Sequence, residues 1–288
     1  HTTADAAANV LRSMRRREVL RLALAGILDV CTIEELGHGL SDVAENHIAG
    51  VVQAIRGGEP DGIEFAVIGM GRFGGRELGI GSDADIMYVY RAPEDDTGAH
   101  QRAQRIVSEL VRLTEDTRLP FELDAGLRPE GRNGVIVRSI DAYRAYYARW
   151  SLTWEAQALL RARGVAGDAS LIASFTELAD AVRYPESISD HDVREVKRIK
   201  ARVENERLPQ GADPARHLKL GRGSLSDVEW FVQLVQLEHA ARVPALRTTS
   251  TLGALAHAVQ AQLIDPADAE TLREAWVLAS RARSALTL

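Results

Sequence analysis

The sequence is poor in three things, and each shortage excludes something. Of its 288 residues only Cys31 is a cysteine, and only 5% are aromatic. A single cysteine forms no intrachain disulfide and no cysteine-based zinc cage. It follows an apolar helical run, which predicts a packed thiol in a reducing cytoplasm. The few aromatics leave little material for stacking single-stranded nucleic acid. Positive charge is also short: 35 Lys and Arg face 41 Asp and Glu, a formal charge of −6. A duplex-DNA binder needs clustered positive charge to displace counterions, so nucleic acid is not the predicted partner. No apolar run approaches the ~18 residues that span a bilayer, and no signal peptide is visible. His191, His217 and His239 share no ligand spacing, so no zinc site is predicted. The chain starts at His1 without Met and stops within an apparent helix at Leu288, which reads as a piece of something longer.

What is present is globular: 45% apolar and 26% charged residues. Helical spacing over 4–30 (Val10, Leu11, Met14, Val19, Leu22, Ile27) is interrupted by Arg15-Arg16-Arg17-Glu18, predicted to be a solvated face. Thr32-Ile33-Glu34-Glu35 is a capping box opening a second helix through Ile55, and Gly57–Gly62 breaks the chain. Phe65–Gly69 and Ile86–Tyr90 read as buried strands, with a helix from about Ala99 to Asp116. Phe121–Asp124 and Gly134–Val137 flank the turn-rich Arg128–Asn133 and are predicted to pair with each other. From Ser139 onward the pattern is helical: 139–148, 151–163, 169–182 and 191–208. A short insertion at His217–Leu220 then precedes three more helices, the last opened by Asp265-Pro266. The predicted fold class is α+β, a small mixed sheet framed by helices and followed by an all-helical bundle. The predicted division is 1–56 (helices packing on the catalytic domain), 57–166 (catalytic) and 167–288 (helical bundle).

The chemistry lies in Gly69–Ile86. This stretch lacks the Gly-Lys-Ser/Thr ending of a Walker loop, and its glycines do not fit the dinucleotide fingerprint. Asp83 and Asp85 add the specificity. Alternate residues on a strand share a face, so two carboxylates at i and i+2 converge. Their mutual repulsion calls for a cation, and Mg²⁺ prefers oxygen ligands shared with substrate phosphates. Asp124, on a predicted neighbouring strand, supplies a third carboxylate. Gly74 and Gly75 would let the backbone approach a triphosphate, and a short helix after them would offer N–H groups. Together these parts predict metal-assisted phosphoryl or nucleotidyl transfer.

The Gly-Gly pair, seven-residue gap, Asp-x-Asp and distal Asp resemble the DNA polymerase β-type nucleotidyltransferase superfamily. A closer resemblance covers most of the chain. Gly69–Tyr90, Leu123-Asp124-Ala125-Gly126-Leu127-Arg128-Pro129, Thr153–Arg163 and Gly223–Phe231 recur in this order in the glutamine synthetase adenylyltransferases. Those enzymes resemble two fused nucleotidyltransferase halves, one adding AMP and one removing it. The Trp154–Arg163 string and Gly79–Asp85 look like the C-terminal, adenylylating half.

The resemblance implies ATP as donor, a tyrosine hydroxyl of glutamine synthetase as acceptor, and Mg²⁺ held by Asp83, Asp85 and Asp124. It implies further control by glutamine and a PII-type signal protein through the longer enzyme. Ala125-Gly126 and the surroundings of Ser226 depart from the family's usual residues, which bears on acceptor contacts more than on the reaction. Ser82 could bind a phosphate or stabilise a turn, and Arg128 could reach a phosphate or sit in a surface ion pair. Lys219 would join the phosphates if the short insertion folds back. Arg161 and Arg163, read as helical, would have opposing azimuths, so at most one faces the site. Trp154 and Glu155 read as packing plus an ion pair, Asp227 as a helix-start residue, and Tyr143, Tyr146 and Tyr147 as a core stripe. Two other readings stay open: phosphorolytic AMP removal with the same carboxylates, and a non-catalytic regulatory module.

Overall fold

The computed structural model describes residues 3–57, 62–150 and 152–287. The chain divides into two compact units, one of His1–Ser151 with Arg161–Leu178 and the other of Leu152–Leu160 with Ala179–Leu288. Residues 58–61 of the predicted Gly57–Gly62 break, and Ser151 at the start of a predicted helix, lie outside the described residues.

The first unit opens with α1 (Thr3–Ile27) and α2 (Ile33–Arg56). The capping box forms as predicted: the Thr32 hydroxyl accepts from the Glu35 N–H at 3.1 Å, and the Glu35 carboxylate accepts from the Thr32 N–H at 2.8 Å. Gly57, at φ 64, ends α2 in the left-handed conformation that glycine adopts without strain. Leu36, Leu40, Ala44, Ile48, Val51 and Val52 bury one face of α2. Cys31 packs against the same core, and burial raises its thiol pKa.

The sheet is built outward from β1 (Glu64–Gly69), whose residues from Phe65 on are all buried. β2 (Ala84–Arg91) pairs with it antiparallel, from Glu64↔Arg91 to Gly69↔Ile86. The other edge of β1 takes β5 (Arg163–Gly167), also antiparallel, with a register shift between Val67 and Ile68. β3 (Leu123–Asp124) and β4 (Val137–Ser139) both pair parallel with β2, at Ala84–Asp85 and Tyr88–Tyr90 respectively. The mixed sheet is therefore as predicted, with three corrections. The segments around Arg128–Asn133 do not pair with each other; each adds to the free edge of β2. The predicted helix 151–163 is shorter, α6 (Thr153–Leu159), because Arg163–Gly167 is drawn into the sheet. Helix α3 (Gly71–Gly74) lies ahead of the position predicted for it.

Alternation assigns the faces. Phe65, Val67, Ile86 and Tyr88 point into one core with α2 and α4 (Ala99–Thr114), where Ala103, Ile106, Val107 and Leu110 meet them. α5 (Ile140–Trp150) contributes Tyr143 and Tyr147, buried as predicted, whereas Tyr146 of the predicted stripe is only half-buried; the Tyr143 hydroxyl donates to the Tyr88 carbonyl at 3.2 Å. α7 (Ala169–Arg183) brings Phe175 edge-on to Tyr143 at 5.5 Å.

The Arg15–Glu18 run is not one solvated face. Arg15 is buried, whereas Arg17 is exposed and pairs with Glu18 at 3.1 Å. The burial follows from azimuth, since three residues of a run cover most of a helix's circumference. Near Arg15 lies His47, on the buried face of α2, its ring edge-on to Phe121 with the ring centres 6.0 Å apart. Burial first, and then the Arg15 charge, lower the His47 pKa from 6.5 to about 4. Below pH 6.5 the unfolded chain binds a proton that folded His47 refuses. Stability is therefore full above that pH and falls as pH drops from 6.5 towards 4. Going from pH 7 to pH 5 is expected to cost about 2 kcal/mol from this group. Denaturant midpoints at the two pH values should show that loss in the wild type, and His47→Leu should reduce it.

The second unit consists of α6, α8 (Asp190–Arg207), α9 (Leu225–His239), α10 (Thr251–Gln260) and α11 (Pro266–Thr287). Its core gathers Ala156, Leu160, Tyr184, Val196, Val235 and Leu246. Glu155 caps α6 by accepting from the Leu152 N–H at 3.0 Å. Asp227, in the first turn of α9, accepts from the Gly223 N–H and pairs with Lys200. Asp265 accepts from the Ala267 N–H at 2.8 Å, so it caps α11 as predicted. No helix among the described residues is long and apolar enough to cross a membrane.

Candidate active site

β2 begins where the carboxylates are. Asp83 is exposed immediately before the strand, and Asp85, half-buried, is its second residue. Across the parallel pairing Asp85 stands in register with Asp124 of β3. Registered neighbours share a face, so these two carboxylates lie side by side. Ala84, Ile86 and Tyr88 point into the core, so the Asp85–Asp124 face is the opposite one. Two like charges next to each other favour binding of a cation.

The loop after β1 is moulded around Asp85. The Met70 N–H donates to the Asp85 carbonyl at 2.8 Å. Gly71 sits at φ 50, and a Cβ there would stand 2.3 Å from Asp85 Oδ2. Glycine is favoured on both counts, since any side chain there would be strained and would displace the carboxylate. Sequence reasoning missed Gly71; the available signal was Gly69-Met70-Gly71 directly after a buried strand.

Gly74 and Gly75 are buried. A Cβ on Gly74 would lie 1.8 Å from the Arg161 carbonyl oxygen and 2.5 Å from that of Gly69, so its bareness serves backbone-on-backbone packing. Gly75 has φ −74 and ψ −6, an ordinary helical conformation. The predicted helix after this pair is absent. α3 ends at Gly74, and the chain continues in turns in which Gly81 adopts φ 69.

Asp124 is held by the turn after it. Its Oδ1 accepts from the Gly126 N–H at 2.7 Å, and a Cβ at 126 would crowd that oxygen at 2.9 Å. The Ala125-Gly126 departure is thus part of how this chain bends around Asp124. Arg128, predicted to reach a phosphate, donates to the carbonyls of Ala125 (2.7 Å), Arg132 (3.0 Å) and Gly134 (2.9 Å). It closes the loop that carries Asp124. Ser82 is half-buried, and its N–H closes a turn to the Gly79 carbonyl at 3.2 Å. Arg161 pairs with Glu77 at 3.3 Å, both buried, and Arg163 pairs with Glu45 at 2.7 Å while donating to the Gly74 carbonyl at 3.2 Å. Neither arginine is helical, so the opposing helical azimuths predicted for them do not arise. Lys219 belongs to the second unit, where it is exposed, and its carbonyl accepts from the Ser226 N–H at 3.1 Å.

Among the described residues no three His, Cys, Asp or Glu converge to hold a metal ion by themselves. That arrangement suits Mg²⁺, which is usually bound by one or two carboxylates and completes its shell with water and substrate phosphates. The Asp85–Asp124 pair offers hard oxygen donors of that kind beside a glycine-lined loop.

Comparison with known proteins gives the family. A family model described as glutamate-ammonia ligase adenylyltransferase matches residues 1–178. The chain belongs to the glutamate-ammonia ligase adenylyltransferase family. Residues 194–288 match a second model, described as GlnD PII-uridylyltransferase. Among curated proteins, a bifunctional glutamine synthetase adenylyltransferase/adenylyl-removing enzyme of Leifsonia xyli is 69% identical, over 100% of this chain and 29% of its own length. Proteins of the same description from Mycobacterium leprae and Nocardia farcinica are 49% and 48% identical, over 100% and 96% of this chain. The chain spans about three tenths of the length of these adenylyltransferase-family relatives.

Proposed function

We propose that the chain transfers AMP from ATP to a tyrosine hydroxyl of glutamine synthetase, with release of pyrophosphate. The observation that carries this reading is the registered pair Asp85 and Asp124, set beside the loop in which Gly71 closely approaches the Asp85 carboxylate. Asp85 and Asp124, with Asp83 ahead of them, are the residues that would hold Mg²⁺. When bound, the ion neutralises the triphosphate and acidifies the acceptor hydroxyl. Asp124 is the group assigned to receive the hydroxyl proton. Its carboxylate is oriented for that by the Gly126 N–H. Ser82, on the turn entering β2, is assigned to the phosphate side, and Arg128 supports it by holding the loop after Asp124. The rest of the rate comes from fixing nucleotide and acceptor in line.

The resemblance of Trp154–Arg163 and Gly79–Asp85 favours the adenylylating half. The relatives' names carry both activities, so phosphorolytic removal of AMP by the same carboxylates is the second reading. The match of residues 194–288 to a PII-uridylyltransferase model favours a signal-protein role for the second unit. We assign the chain to the cytoplasm, with Cys31 as a free thiol. The division 1–56, 57–166 and 167–288 is kept as a functional proposal, although by compactness Leu152–Leu160 clusters with the second unit and residues 167–178 with the first.

The test is incubation of the chain with α-labelled ATP, Mg²⁺ and unmodified glutamine synthetase. Label on the synthetase supports AMP transfer. Release of label from pre-modified synthetase by orthophosphate supports removal instead. With neither, both enzymatic readings fail and a binding module is left.

A further inference from the structure

β3 has a problem that its own hydrogen bonds do not solve. It is two residues long and meets β2 at only two positions, yet it carries Asp124. A strand this short adds little pairing energy and cannot hold its own register. Something must hold it from outside the sheet.

The segment leading into it is gripped by α1. Arg15 donates to the carbonyls of Leu119 (2.8 Å) and Pro120 (3.2 Å), and its guanidinium lies 4.4 Å from the centre of the Phe121 ring. One turn earlier Arg12 donates to the carbonyls of Leu113 (3.3 Å) and Glu115 (2.8 Å). Arg16 pairs with Asp116 at 2.7 Å, and Asp116 in turn accepts from the Arg118 N–H at 3.0 Å. Arg15 is 7% exposed, a burial that a guanidinium tolerates only when its donors are used. Its planar fork reaches two carbonyls and an aromatic face at once, which a Lys ammonium cannot do. Phe121 and Leu123 belong to the core behind the sheet, so the grip acts from that side, with Asp124 on the other.

We infer that Arg15 is a positioning residue for the carboxylate pair: by clamping Leu119–Phe121 it holds β3 in register and keeps Asp124 beside Asp85. The inference rests on the proposed AMP transfer for its kinetic consequence and on the fold alone for its structural one.

Both are tested in Arg15→Met, which keeps the aliphatic stem and removes the fork, and in Arg15→Lys. Hydrogen exchange reads the structural part without activity. The Ala84 N–H, bonded to the Glu122 carbonyl at 2.9 Å, and the Gly126 N–H, bonded to Asp124, report on β3. In Arg15→Met both should exchange at least about tenfold faster while amides of β1 keep wild-type protection. With ATP and glutamine synthetase, kcat should fall by about 10²-fold at unchanged KM for ATP. Arg15→Lys should recover part of both. Unchanged exchange at Ala84 and Gly126 overturns the inference, as does loss of protection spread equally over β1. If Arg15→Met does not fold, Arg15→Lys decides by the same amides. A wild-type chain without AMP transfer overturns the proposed function and leaves the exchange result to judge Arg15.

Discussion

Asp85→Asn is expected to lower AMP transfer by about 10³-fold or more, a loss of at least about 4 kcal/mol of transition-state stabilisation. The substitution is nearly isosteric, so the close approach of Gly71 and the pairing of β2 with β3 are kept. What disappears is one of two adjacent negative charges. In the protein without metal or nucleotide those charges repel across the registered strands. Removing one should therefore leave stability unchanged or raise it by about 0.5 kcal/mol. Transfer falls while stability does not, which separates a functional carboxylate from a structural one. Steady-state transfer and thermal unfolding of the same preparation suffice. Near-normal transfer by Asp85→Asn would sink the assignment of the site.

Gly74→Ala is expected to have the largest effect on folding. The added methyl would meet the Arg161 carbonyl oxygen at 1.8 Å and the Gly69 oxygen at 2.5 Å; Gly69 belongs to β1, and Arg161 to the turn just before β5. No rotamer relieves such a contact, so the loop or the sheet must shift. The cost is about 3–5 kcal/mol, in the range of severe overpacking. For a unit of this size that corresponds to a fall in Tm of about 10 °C. Arg163, which donates to the Gly74 carbonyl, and the buried Arg161–Glu77 pair would be disturbed with it. Calorimetry on the variant measures the shift. A change of less than about 2 °C would mean that this contact relaxes freely and that the packing there is not tight.

Much of the site is legible in the linear chain because its signals are local. A capping box needs four consecutive residues, and Thr32 and Glu35 form theirs. A buried strand announces itself by an apolar run, as β1 and β2 do. Asp83, Asp85 and Asp124 stand out because clustered carboxylates next to such strands are costly without a cation. The features that escaped are those in which remote segments settle a local choice. Arg163-Gly-Val-Ala-Gly167 has little strand propensity of its own and becomes β5 because β1 has an open edge. The segments around Arg128–Asn133 look like a hairpin, but a free edge of β2 takes each separately. Arg15 reads as one charge in a solvated run until the carbonyls of Leu119 and Pro120 meet it.

The amino-acid sequence by itself determined the α+β character and the capped starts of α2 and α11, and it pointed to the class of chemistry proposed, since each depends on residues within a turn or a strand of one another. The tertiary structure alone decided the register that sets Asp124 opposite Asp85, the close approach of Gly71 to that carboxylate, and the need for Gly74 in packing. It also decided that Leu152–Leu160 clusters with the second unit while Arg161–Leu178 returns to the first. The physical reason is common to all of these. Register, close approach and burial are properties of pairs of segments, and the partner of each segment is chosen only when the whole sheet and its core are assembled.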